Sequence, residues 1–459
     1  MAVGAPATWL ACSGCGYVAP ADRPFVARCP ERRPGDDIDH VMTRRIDPAQ
    51  VDREPDPDPN PFVRYRTRFH AWHVARAAGW SDVRYVDLVR RLDDAIAAVD
   101  GHGFLVTPLV RSRRLDDQLR FDEAGGAWIK DETGNVSGSH KARHLMGVML
   151  ELQVSEAVAG LAADRPLAIA SCGNAALAAA VVARAAGRRL LVFVPPHAEP
   201  PVLDRLAALD ADVTPCPRLP GEAGDPSYLR LQEAIAAGAI PFTCQGNENG
   251  LVIEGGATLS WELIDQLHGT GVTLDRIVIQ VGGGALAAAQ ALAFEEALAM
   301  GIVERRPRLD TVQTRGGWPL ARAYERVVEE LGIPAGAPAD ESGIEADLAA
   351  IARRRSRYMW PWETEPHSVA SGILDDETYD WRAVVRAMLI SGGRPVVVDE
   401  AGLIDANDMA ATTTGIGADH TGTAGLAGLL ELVEQRVVGP AENVGLVFSG
   451  ARRDGSPDP

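Results

Sequence analysis

The sequence predicts an α/β protein built on open parallel sheets with helices on both faces. Two observations carry this. From about Trp128 onward, short apolar runs of strand length alternate with Ala-rich stretches of helix length. The runs are continuously apolar, as parallel strands buried on both faces must be. At 459 residues the chain is long enough for several domains and a large core.

The elements follow in order. Apolar positions at helical spacing mark 69–78 and 86–99. Residues 167–170 read as a strand and 175–186 as a helix. Then come a strand at 190–194, a helix at 202–209, a short strand at 212–214 and a helix at 229–237. A strand at 276–281 leads into a helix at 285–300, and further strands fall at 309–313 and 444–448. Upstream, Pro alternates with acidic residues from Glu54 to Pro61, which reads as an extended connector.

Composition narrows the function. Lys and Arg number 45 against 63 Asp and Glu, a net charge of −18. That argues against nucleic acid and against attachment to anionic membranes, both of which need a basic footprint. Residues 1–10 lack the features of a signal peptide, and the most membrane-like run, 167–183, is Ala-rich and interrupted by Ser171, Gly173 and Asn174. The expected location is the cytoplasm. The 6 cysteines are too few for a disulfide scaffold in a chain of this length.

Two glycine-bearing loops lie between a strand and a helix: Ser171-Cys172-Gly173-Asn174 and Gly282-Gly283-Gly284. Each sets backbone N–H groups at a helix N-terminus, where free donors and the dipole attract anions. The second lacks the G-x-G-x-x-G spacing of a dinucleotide site, and no acid ends the next strand. Read singly, either loop is also an ordinary strand–helix turn. A third stretch, Asn135-Val136-Ser137-Gly138-Ser139-His140-Lys141, delivers one lysine at the start of an apolar helix. Such a lysine is a Schiff-base candidate when positive potential lowers its pKa, and a plain surface lysine otherwise.

Taken together and in this order, the three stretches resemble the fold type II pyridoxal phosphate enzymes. That superfamily includes tryptophan synthase β, threonine synthase and threonine dehydratase. The resemblance spans roughly 60–450. Residues 135–141 are similar to the family's N-P-T-G-S-F-K, whose lysine holds pyridoxal phosphate as a Schiff base. The resemblance therefore implies that role for Lys141. It implies that Ser171 and Gly173 hold the substrate carboxylate, and that Asn174 serves both this loop and the cofactor's ring oxygen. Gly282, Gly283 and Gly284 would cradle the cofactor phosphate, and Ser449, before Gly450, would meet the pyridine nitrogen. Smaller matches are 103–109, similar to the G-x-T-P-L entry strand, and 254–258, similar to E-G-x-x-T.

The implied architecture has two open parallel-sheet domains of the tryptophan synthase β type. A large cofactor-binding domain covers 51–145 and 245–459, a small mobile domain covers 146–244, and a ribbon-like segment covers 1–50. The implied activity is β-elimination from an amino acid, of the serine/threonine dehydratase or ammonia-lyase kind. A hydroxyl rather than a carboxylate at the ring nitrogen leaves the pyridine largely neutral and favours loss of a β-leaving group over transamination. The alternative is a threonine synthase-like or β-replacement enzyme acting on an activated hydroxy amino acid. A cofactor-binding regulator without turnover is opposed by the intact Lys141 and both anion loops. The family is usually dimeric, so a homodimer with a small amino-acid substrate is expected.

Departures are visible. His140 stands where the family usually has Phe, although tryptophan synthase β also has His-Lys; it is either an acid–base helper or a packed histidine. Ala142 replaces the Asp of the threonine synthase K-D-R pattern, and Ala451-Arg452 follows Ser449-Gly450 where dehydratases have Gly-Asn. Arg315, Arg353 to Arg355 and His367 are candidates for an anionic substrate group, or ordinary solvated charges. Cys172, Cys216 and Cys244 read as packing residues.

Cys12-Ser13-Gly14-Cys15 resembles a zinc knuckle, and Cys29 could begin a second, but Glu31, Arg32 and Arg33 stand where its partner belongs. Zinc on Cys12, Cys15 and Cys29 needs a fourth ligand, His40 or Asp36. Otherwise the segment is a metal-free remnant of the ribbon found in some threonine synthase-like proteins.

Overall fold

The computed structural model describes residues 7–453 except 21, 22, 24 and 223. Twelve strands form three sheets among the described residues. β1 (Thr8–Cys12) and β2 (Met42–Ile46) make an antiparallel ribbon in which Cys12 pairs with Met42. The large sheet contains β3 (Leu109–Arg111), β4 (Gly126–Asp131), β9 (Arg276–Gln280), β10 (Arg308–Thr314), β11 (Pro395–Val398) and β12 (Asn443–Phe448). Its order is β11-β10-β9-β12-β4-β3. The small sheet, in the order β7-β6-β5-β8, contains β5 (Leu167–Ala170), β6 (Leu190–Val194), β7 (Asp212–Pro215) and β8 (Ile240–Pro241).

All pairings in the two larger sheets are parallel except one. The edge strand β3 runs antiparallel to β4, and the remaining pairings are parallel as expected. β3 is three residues long, reaches β4 without a crossover of its own and ends the sheet. No described helix is long and apolar enough to cross a membrane.

The helix Lys141–Ala159 links the two sheets, leaving β4 of the large one and leading to β5 of the small one. It is buried on nearly every side. Gly147 lets it approach the helix Val252–His268: a Cβ there would stand 2.8 Å from the Gly255 Cα. The Ala-rich helix Asn174–Ala185 packs on its other side.

The start of the Lys141 helix is anchored by a fully buried ionic cluster. Arg143 Nε donates to Glu132 at 2.8 Å and its Nη1 to Glu262 at 2.5 Å, while Lys130 Nζ lies 2.7 Å from Glu262. Burial pushes the Glu262 carboxyl up, but Arg143 and Lys130 outweigh it and leave the group below its ordinary value. The acidic connector forms no strand and turns locally, the Asp58 amide donating to the Asp56 carboxylate and the Asn60 amide to that of Asp58, and it is held to the body. Asp56 pairs with Arg66 and Asp58 with Arg90, and Asn60 caps the helix Pro61–Arg64.

Candidate active site

After β4 the chain makes a sharp turn in which Ser137 and Gly138 have φ of 56° and 68°. Two consecutive left-handed residues are tolerable because one is glycine. The turn is strapped to the chain after β12. The His140 amide donates to the Ser449 carbonyl at 3.0 Å, and the Ala451 amide to that of Gly138 at 2.8 Å. The His140 ring also reaches the Ser449 carbonyl, through Nδ1 at 3.0 Å. A carbonyl only accepts, so Nδ1 carries the hydrogen. Burial, reinforced by Lys141 and His144, pushes His140 well below its ordinary pKa, so the ring is neutral. His140 is therefore a packed, hydrogen-bonded histidine with Nε2 unpartnered.

Ser449 faces the end of β9. Gln280 Nε2 donates to the Ser449 Oγ at 2.7 Å and to the carbonyls of Gly422 and Val447, both at 3.1 Å. The carbonyls fix which end of the amide is nitrogen. The serine oxygen then accepts and keeps its own hydrogen to donate. The glycine turn follows, with Gly284 at φ 99°, and leads into the helix Ala285–Ala299.

The Ser171–Asn174 loop lies beside the same strap. A Cβ on Gly450 would stand 2.8 Å from Asn174 Nδ2, and Gly173 has no heavy atom near the position its Cβ would take. Asn174 accepts from Arg453 and bonds Asp419, whose carboxyl burial pushes up to about 6. Lys141, Asn174, Ser449 and the glycine turn are thus brought together from four separate segments.

Several groups at this site carried no sequence signal. Asp375 accepts from the Gly283 amide, with an oxygen 2.5 Å from where a Gly282 Cβ would stand. Thr378 donates to the Gly282 carbonyl at 2.9 Å, and the Asp380 amide to that of Gly283 at 3.0 Å. Gln280, Asp419 and Arg453 were equally silent. The arginine candidates do not join them. Arg355 pairs with Asp39 and Glu377, Arg354 pairs with Glu330, and Arg315, Arg353 and His367 are exposed. Burial raises the thiols of Cys172 and Cys216, and pushes that of Cys244 up to about 11, so all three are protonated packing groups.

An amine at a helix start, a hydroxyl with a hydrogen to give and a glycine turn at a helix N-terminus can together take an aldehyde, a ring nitrogen and a phosphate tail, the three parts of pyridoxal phosphate. The chain belongs to the pyridoxal-phosphate dependent enzyme family, whose model matches residues 102–450. It is 23% identical over 345 residues to a threonine synthase of Methanocaldococcus jannaschii, covering 75% of this chain and 74% of that one. It is 28% identical over 191 residues to a biosynthetic L-threonine dehydratase of Haemophilus influenzae, covering 42% of this chain and 34% of that one. Among solved structures, the processed form of threonine deaminase isoform 2 from Solanum lycopersicum aligns with a TM-score of 0.57 at 19% identity, covering 83% of this chain and 92% of that chain.

In the ribbon, Cys12, Cys15, Cys29 and His40 bring their donor atoms within 4.8 Å of one another. Cys12 Sγ is 3.6 Å from His40 Nδ1, and Cys15 Sγ is 3.6 Å from Cys29 Sγ. Tetrahedral ligands at about 2.0–2.3 Å from zinc have such separations. Asp36 accepts from His40 Nε2 at 3.2 Å, so of the two candidates His40 faces the thiols and Asp36 orients it.

Proposed function

We propose that the protein is an amino-acid lyase catalysing β-elimination, of the serine/threonine dehydratase or ammonia-lyase type, with Lys141 as the cofactor-bearing lysine. The observation that supports this is the Ser449 hydroxyl, which accepts from Gln280 and keeps its own hydrogen to donate. A neutral donor there would leave the ring nitrogen of a bound pyridoxal phosphate uncharged, which would favour loss of a β-substituent over transamination.

Pyridoxal phosphate supplies an electron sink for the charge left at Cα. The chain's residues do the rest. Ser171 and Gly173 would hold the substrate carboxylate, Asn174 the ring oxygen, and the amides of Gly282, Gly283 and Gly284 the phosphate. Lys141 Nζ takes the Cα proton. Residues 146–244 act as a small body that closes over 51–145 and 245–459 and excludes water. The ribbon of β1 and β2 would hold zinc on Cys12, Cys15, Cys29 and His40. The reading includes a homodimer in the cytoplasm.

A second reading is a threonine synthase-like or β-replacement enzyme, favoured by the similarity to threonine synthase over three quarters of the chain. Ala142, in place of the family's Asp, speaks against it. The deciding experiment is a spectral and product screen of amino acids with the holoenzyme. Release of a 2-oxo acid from L-serine or L-threonine selects the lyase. Its absence, with phosphate or acetate released from activated substrates, selects the synthase. Lys141→Ala is expected to abolish the visible absorbance and to lower kcat by about 10³-fold or more.

A further inference from the structure

We propose that Arg453 and Asp419 are positioning residues for Asn174. They hold its side-chain amide from both ends, so that one Nδ2 hydrogen is left for the cofactor's ring oxygen. The inference rests on the reading of Asn174 as the group that meets that oxygen.

Asn174 opens the helix Asn174–Ala185. An asparagine amide keeps its shape when turned over, with a donor where the acceptor was, so its neighbours decide which way it points. Arg453 Nη2 lies 2.5 Å from Asn174 Oδ1. A guanidinium only donates, which makes the atom facing it the oxygen. The other end bonds the Asp419 carboxylate, which burial pushes up to about 6, so at neutral pH it is ionised and only accepts. Gly450 lets these two groups meet. A Cβ there would stand 2.8 Å from Asn174 Nδ2 and 3.3 Å from Asp419 Oδ2.

Both partners are themselves held. Asp419 caps the helix His420–Glu434, its Oδ1 accepting from the Gly422 amide at 2.5 Å, and its own amide donates to the Gly450 carbonyl at 3.0 Å. That leaves Oδ2 towards Asn174. The Arg452 amide donates to the Gly417 carbonyl at 2.9 Å, and Ala451 bridges Ala418, which fixes the chain that carries Arg453. Arg453 Nη2 also donates to the Ser137 carbonyl at 3.1 Å. One guanidinium nitrogen therefore ties the turn that delivers Lys141 to the amide of Asn174.

The hydrogen bonds of Arg453 among the described residues go to neutral oxygens of these two loops rather than to a carboxylate. Residue 450 is the last that the family model matches, so Arg453 lies outside it. Nδ2 carries two hydrogens, and Asp419 takes one. The second remains to donate, and a donor beside a phenolic oxygen favours its ionised form. Without Arg453 the amide can turn over and set its own oxygen against the ring oxygen. The donor is then lost and two acceptors face each other.

The test measures the apparent Kd for pyridoxal phosphate by reconstitution titration, and the visible spectrum of the holoenzyme. Arg453→Met keeps most of the side chain's bulk and removes its donors. Asp419→Asn keeps the helix cap. There the Gly422 amide claims the remaining oxygen, so an NH2 group faces Asn174 Nδ2 and turns it away. Each variant is expected to raise the Kd by about fivefold and to shrink the long-wavelength share of the absorbance. Arg453→Lys, which keeps a donor, is expected to recover part of both. Asn174→Ala alone should also cost about fivefold, and adding Arg453→Met to it should cost less than about twofold more. An equal loss from Arg453→Met in the Asn174→Ala background marks a purely structural tie and overturns the inference. So does a wild-type Kd and spectrum in Arg453→Met while Asn174→Ala is impaired, and the cofactor reading of Asn174 then stands. A wild-type Kd and spectrum in Asn174→Ala overturns that reading as well.

Discussion

Gln280 Nε2 donates to the Ser449 hydroxyl oxygen at 2.7 Å, which leaves the hydroxyl with its hydrogen to give to an acceptor in front of it. Ser449→Ala removes that donor while Gln280 keeps two carbonyl partners, so folding should survive. One hydrogen bond of about 1 kcal/mol corresponds to a drop in kcat of about fivefold. Ser449→Asp offers a carboxylate instead. Its expected signature is a larger share of substrate racemised or transaminated per oxo acid released, read by chiral chromatography of the reaction mixture.

Arg143 connects the lysine helix to Glu132 and Glu262 with no exposure of any partner. Arg143→Ala leaves two buried carboxylates with Lys130 as their one cation, beside the neutral donors of Thr107 and Asn135. The expected loss is about 3–5 kcal/mol, measured by urea unfolding. A loss below about 1 kcal/mol would show that water reaches the cluster.

The ribbon makes a metal prediction. Purified protein should contain about one zinc per chain by elemental analysis. His40→Ala and Cys29→Ser should each lower that content and the Tm. Asp36→Ala should weaken retention against a chelator by about 10–100-fold, because Asp36 orients His40 without touching the metal. Metal-free wild type with an unchanged Tm would count against the site.

His70 gives a pH dependence. Burial, then Arg44, pushes its imidazole down to about 3, and its Nδ1 lies 2.9 Å from Thr8 Oγ1. The unfolded chain binds a proton there near pH 6.5 and the folded chain does not. This contribution is therefore intact above about pH 6.5 and is lost as pH falls towards about 3, at up to about 1.4 kcal/mol per unit. Between pH 6.5 and 5.5, His70→Asn should lose about 1 kcal/mol less than wild type in matched urea titrations. Equal slopes would place the proton elsewhere.

The strands at 167–170, 190–194 and 276–280 were legible because buried parallel strands are apolar throughout and stop at glycine or proline. The helices Pro319–Leu331 and His420–Glu434 went unread. No short apolar strand run stands immediately before the second, which follows another helix, Glu400–Thr414. β3 and β8 are too short for any period to show. His40 could not be chosen over Asp36, since both lie within reach of the cysteines along the chain and only folding turns one inward.

The sequence by itself determined the alternation of strands and helices, the lysine turn, both anion loops and the three cysteines, because these are local patterns of residue type and spacing. The tertiary structure decided what faces them. Gln280 beneath Ser449, Asp375 on the Gly283 amide and His40 among the thiols come from segments tens to hundreds of residues apart. No local pattern encodes such meetings. They are set by sheet order and helix packing, which bury those groups at low dielectric and thereby give them their chemistry.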